Sequence, residues 1–115
     1  MMEEEKLNIF IELISSIVKR PAMYQVSNVE GLYLFIFGYI TGSKSNILNE
    51  FNQEFKVFVN AHFENDIKSK KEWDWPRLIR FGSGSDNHSI ELFGSLFKQF
   101  SSSFLNKIKL EDNKK

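Results

Sequence analysis

Phenylalanine returns every three, four or seven residues along most of this 115-residue chain, and that spacing limits the fold more than any other feature. A helix brings residues three and four apart to one face, whereas a strand does so every second residue. The rings at Phe51, Phe55 and Phe58, and at Phe93, Phe97, Phe100 and Phe104, therefore read as apolar stripes on helices. Strand-like alternation is not found elsewhere, so the expected fold is all-α: one domain over residues 1–115, a bundle of four to five helices.

The first helix is expected over about Glu3 to Val18, with Leu7, Phe10, Ile11, Ile14 and Val18 on one stripe. Three glutamates at its start suit the helix dipole, and Lys19, Arg20 and Pro21 end it. Ser27 and Glu30 have capping-box spacing and predict a second helix over about Asn28 to Ile40. That helix is apolar around most of its circumference, which predicts the most buried, central element, closed by a left-handed Gly42. A third helix is expected over about Ile47 to Phe63, then a charged loop from Glu64 to Asp74. Trp75-Pro76 opens a short helix carrying Leu78, Ile79 and Phe81. Asp86 is expected to cap a last helix over about Asn87 to Lys107, with residues 110–115 a frayed tail.

Fifteen acidic and fifteen basic residues cancel, which removes the electrostatic footprint of a chain that grips nucleic acid through many phosphates. Zero cysteines means no disulfide and no thiolate ligand, as suits a reducing compartment. The acidic start Glu3-Glu4-Glu5 is opposite in charge to a secretory leader, and no apolar stretch is long enough to span a bilayer. These features predict a cytoplasmic protein with no membrane partner.

Chemistry-bearing patterns are sparse. His62 and His88 lack the helical spacing of paired metal ligands, so no metal and no cofactor is expected. His88 lies near Asp86 and Ser89, which reads as a capped helix start before it reads as a catalytic set. Gly82-Ser83-Gly84-Ser85 lacks the lysine and hydroxyl residue of a phosphate loop and reads as a flexible turn. No catalytic residue is assigned, and the chain is not expected to be an enzyme.

Lys19-Arg20-Pro21-Ala22-Met23-Tyr24 resembles the Lys-Arg-Pro-Gly-Met-Tyr stretch of gyrase-type ATPases, but their catalytic Glu and Asp-Asn pair have no counterpart here. Over residues 14–104 the chain looks more like the small helical immunity proteins of contact-dependent growth inhibition and related polymorphic toxin systems. The pattern is an Arg-Pro-x-Met-Tyr turn, a helix ending Phe-x-x-Gly-Tyr, a Phe-rich helix, a tryptophan loop and a last helix with Phe-x-x-Leu-Phe. Arg20, Pro21, Met23, Tyr24, Gly38 and Tyr39 match it, and Ala22 replaces the usual glycine, leaving the turn geometry open. The resemblance implies a cytoplasmic binder that occludes the active site of a cognate toxin domain, with a nuclease as the expected target.

Physically, the motif reads as a staple: Met23 and Tyr24 packing on the second helix, and Arg20 reaching Glu30 or Asp86. A nuclease groove is basic, so the expected contact residues are acidic: Glu50 and Glu54 on the third helix, and Glu64, Asp66, Glu72 and Asp74 with Trp73 around the loop. The alternative is a small-molecule or nucleic-acid module with a pocket between the turn and the last helix, built from Arg20, Tyr24, Tyr39, Trp75, Arg77 and His88.

Overall fold

The computed structural model describes residues 3–63 and 74–113. Those residues form an all-α bundle of five helices: α1 Glu3–Lys19, α2 Val29–Ser43, α3 Asn46–His62, α4 Trp75–Phe81 and α5 Asp86–Asn113. A 3-10 turn, Pro21–Tyr24, joins α1 to the segment before α2.

Each helix end has a local cause. Asn28, not Ser27, caps α2: its side-chain oxygen accepts from the Gly31 N–H at 2.9 Å, which frees Glu30 for another partner. Lys44, not Gly42, takes the left-handed conformation (φ 53°), so α2 runs to Ser43. Ser45 caps α3 by accepting from Leu48 and donates to the Glu3 carboxylate at 2.7 Å. Glu3 also accepts from the Ile47 N–H at 3.1 Å, so the start of α1 is fastened to the start of α3. The Ser45 hydroxyl, then the Ile47 amide, holds the Glu3 carboxyl below its ordinary range. Ser85 accepts from the His88 N–H and caps α5, which puts Asp86 inside the first turn. α5 then continues past Lys107 to Asn113, longer than its apolar stripe alone predicts.

The core is a mesh of rings between α3 and α5. Phe51 meets Phe10, Phe97, Phe100 and Phe104 edge-on, with centroids 4.9–5.7 Å apart. Phe55 joins Phe93, Phe97 and Phe100. Phe58, half-buried, lies 5.5 Å from Phe100, so the rings of both stripes meet in one core. Trp75 of α4 closes one end against Tyr33, Phe55 and Phe93. Edge-on rings set the positive rim of one against the negative face of another, which adds to the gain from burial. On the far side α1 lies close to α5 because position 94 has no side chain: a Cβ there would stand 2.6 Å from Val18 Cγ1.

α2 departs from expectation. Val29, Leu32, Ile36 and Ile40 are buried, but Leu34 and Phe37 are 67% and 54% exposed. The helix is apolar all round, yet only one side of it is covered, and the central positions belong to α3 and α5. Ser89 ties its start to α5, accepting from the Val29 N–H and donating to the Asp86 carbonyl at 2.6 Å.

Candidate functional site

The Arg-Pro-x-Met-Tyr turn is built from the backbone outward. Arg20 is non-helical and precedes Pro21, whose ring fixes the first 3-10 position. The Met23 N–H donates to the Arg20 carbonyl, and the Gln25 and Val26 N–H groups donate to Ala22 and Pro21. Gln25 is the left-handed residue (φ 57°), so the turn makes no demand for glycine at position 22. With these bonds closed internally, the side chains are left outside. Met23 is 69% exposed and Tyr24 39%, which corrects the expectation that both pack on α2.

Two clefts flank the turn. One, about 340 Å³, is lined by Ser16, Lys19, Arg20, Met23 and Tyr24. The other, about 670 Å³, is an open groove between the turn and the start of α5, where Pro21, Val26 and Ile90 meet Ser27, Ser85 and Asp86. A groove therefore exists where the alternative module would need one, but from other residues. Arg20 and Tyr24 line the smaller cleft, Arg77 lines a separate one, and Trp75 is buried among rings. Tyr39 packs on Phe10 and Phe35, while His88 Nδ1 accepts from the Gly84 N–H. Gly38 is exposed on α2, with nothing within 4 Å of where a Cβ would stand.

Arg80, which the sequence reading passed over, takes the role expected of Arg20. Its guanidinium donates to both Glu30 oxygens at 3.0 and 2.7 Å and to Asp86 at 2.8 Å, joining α4 to α2 and α5. The hydrogen bond from Arg80 holds the Glu30 carboxyl below its ordinary value against the opposing effect of burial, and Arg80 is itself held more firmly protonated. Because Glu30 and Asp86 are engaged there, Arg20 has no hydrogen bond or ion pair from its side chain among the described residues.

The acidic candidates are less available than their sequence suggests. Lys107 of α5 sits 3.0 Å from Glu54 and 3.8 Å from Glu50, partly cancelling that pair. Burial, then the neighbouring Glu54, pushes the Glu50 carboxyl above its ordinary value. Asp74 precedes α4 without a side-chain capping bond and stands 4.0 Å from Lys56, exposed. Glu64, Asp66, Glu72 and Trp73 lie outside the described residues.

Among the described residues no group of three or more His, Asp or Glu side chains is placed to hold a metal ion, and no helix is long and apolar enough to cross a membrane. The sequence reading also missed Leu34 and Phe37. The signal was their spacing on α2 together with Thr41, a stripe distinct from the buried one. Comparison with family models, with curated proteins and with solved structures finds no match to this chain.

Proposed function

We propose that the chain is a binding protein that neutralises a cognate toxin domain by covering its active site, with the Arg20–Tyr24 turn as the contact surface. The observation that carries this reading is the solvent exposure of Met23 and Tyr24, beside an Arg20 with no internal partner. Methionine, tyrosine and arginine are enriched at protein interfaces, where each brings a large contact area. Here they project from a backbone already closed by its own hydrogen bonds, so docking would order little else.

The charge around the turn is positive. Lys19 lines the same cleft as Arg20, and Lys98 joins Lys19 in an adjoining cleft between α1 and α5. None of the three has a carboxylate within ion-pair distance among the described residues. The partner surface that fits is therefore acidic, unlike the basic groove of the nuclease that the resemblance implies, and the contact face we propose moves from the Lys107-paired glutamates of α3 to the turn. An immunity role remains the reading because Arg20, Met23 and Tyr24 of the motif that resembles that family face solvent. The test is association kinetics with any toxin domain found encoded beside this gene. Charge reversal at Lys19 and Arg20 should slow association, and added salt should narrow the difference. Equal rates for the natural and reversed chains would place the contact elsewhere.

A further inference from the structure

Between α1 and α5 lies a cleft of about 350 Å³, framed by Ser15, Val18 and Lys19 on one side and Gly94, Phe97 and Lys98 on the other. Each set has the spacing of a single helical face, so two facing stripes form the walls. Phe10 meets Phe97 while Val18 meets Gly94, so the two helices run antiparallel. Gly94 adds no side chain to the space, and the apolar surface there comes from Val18 and the nearly buried Phe97.

A lysine stands on each wall. Helical side chains lean toward their own N-terminus, so on antiparallel helices Lys19 and Lys98 lean toward one another across the cleft. Neither has a carboxylate within ion-pair distance among the described residues. Glu12 and Glu91, about one turn before each wall, do not line it. Lys19 suits the C-terminal end of α1, but Lys98 lies in the interior of α5, where the helix dipole gives no reason for a cation.

We propose that this cleft is a binding site for a small organic monocarboxylate with an apolar body, an aryl or short alkyl acid. The polar groups in it are two ammoniums and the Ser15 hydroxyl, a donor set that suits one carboxylate. Both walls are helix, so their backbone N–H groups are spent within α1 and α5 and offer no cradle for phosphate or sulfate. Val18 and Phe97 would take an apolar body out of water beside the charge, a gain that an inorganic anion cannot make. The volume is at the lower end for ligand clefts, enough for one ring or a short chain. Met23 and Tyr24 do not line this cleft, so the site stands apart from the turn surface, with Lys19 shared between them.

Titration of the isotope-labelled full chain with phenylacetate, followed through amide chemical shifts, tests this with no partner protein present. The expected result is saturable shifts confined to residues 15–19 and 94–98, with a dissociation constant on the order of 1 mM. Phenylacetamide, which lacks the charge, and inorganic phosphate, which lacks the apolar body, should each bind about tenfold more weakly or worse. Lys98 is exposed, so Lys98→Gln should melt with the natural chain yet weaken phenylacetate about tenfold, while Lys98→Arg retains it. Ser15→Phe, also at an exposed position, should fill the opening and abolish the shifts, and Lys109→Gln, further along α5, should change nothing. No saturable shift up to about 10 mM, or shifts scattered over the surface, overturns the site. Equal affinity for the amide or for phosphate overturns the ligand class, and undiminished binding by Lys98→Gln overturns the lysine pair.

Discussion

Phe51→Ala should be among the most damaging single truncations in this fold, and the reason is geometric. Phe51 is 2% exposed and lies among Phe10, Phe55, Phe97, Phe100 and Phe104, which come from α1, α3 and α5. Removing its ring loses the transfer free energy and leaves a void that those neighbours, already packed on one another, can fill only in part. The expected cost is about 3–5 kcal/mol. At roughly 0.05–0.15 kcal/mol per residue, a chain of this size has on the order of 6–17 kcal/mol in total, so the loss is a large fraction of it. Urea unfolding followed by circular dichroism reads the cost as a fall of about 2 M in the midpoint, taking a slope near 2 kcal/mol/M. Phe37→Ala is the control: its ring is more than half exposed, and its cost should stay within about 1 kcal/mol. Equal costs for the two variants would refute the assignment of Phe51 to the centre and Phe37 to the surface.

Ser101 is 5% exposed on α5 and its hydroxyl has no hydrogen-bond partner, so Ser101→Ala should stabilise the chain by about 1 kcal/mol, seen as a raised melting temperature. Gly94→Ala should cost about 1–3 kcal/mol because the new Cβ meets Val18 Cγ1 at 2.6 Å, and the double change Val18→Ala, Gly94→Ala should recover part of it in the same melts. For Glu30 the folded carboxyl titrates below its ordinary value of 4.5. Its contribution is thus present above pH 4.5 and is lost as pH falls through the lower, folded value. The stability advantage of the natural chain over Arg80→Gln should accordingly shrink on acidification below that point, and an advantage independent of pH would argue against the clamp.

Much of the fold was legible because ring spacing reports the buried face directly. The stripes of α3 and α5, the dipole-matched start of α1 and the Pro76 opening of α4 all form close to where the periodicity puts them. Two kinds of feature were not legible. Competing caps a residue apart, Ser27 against Asn28 and Asp86 against Ser85, differ only in backbone geometry that composition does not encode. Burial of a helix apolar on every side depends on how many neighbours cover it, and α2 is covered on one side only. The Arg80 bridge joins residues 50 and 6 apart in sequence, and local spacing gives no sign of the first. In the candidate site, the position of the groove beside the turn was foreseeable, whereas the outward aim of Met23 and Tyr24 follows from a turn whose hydrogen bonds close on themselves.

The central claim is that this chain protects by binding through the turn. Growth rescue measures it most directly, with any toxin domain found encoded beside this gene induced in cells that carry either the natural chain or the triple variant Arg20→Ala, Met23→Ala, Tyr24→Ala. These three side chains are exposed, so the variant should melt with the natural chain and accumulate to the same level. The account predicts that the natural chain restores growth and the equally folded variant does not. Full protection by the variant would contradict the contact surface, and failure of the natural chain to protect would contradict the function.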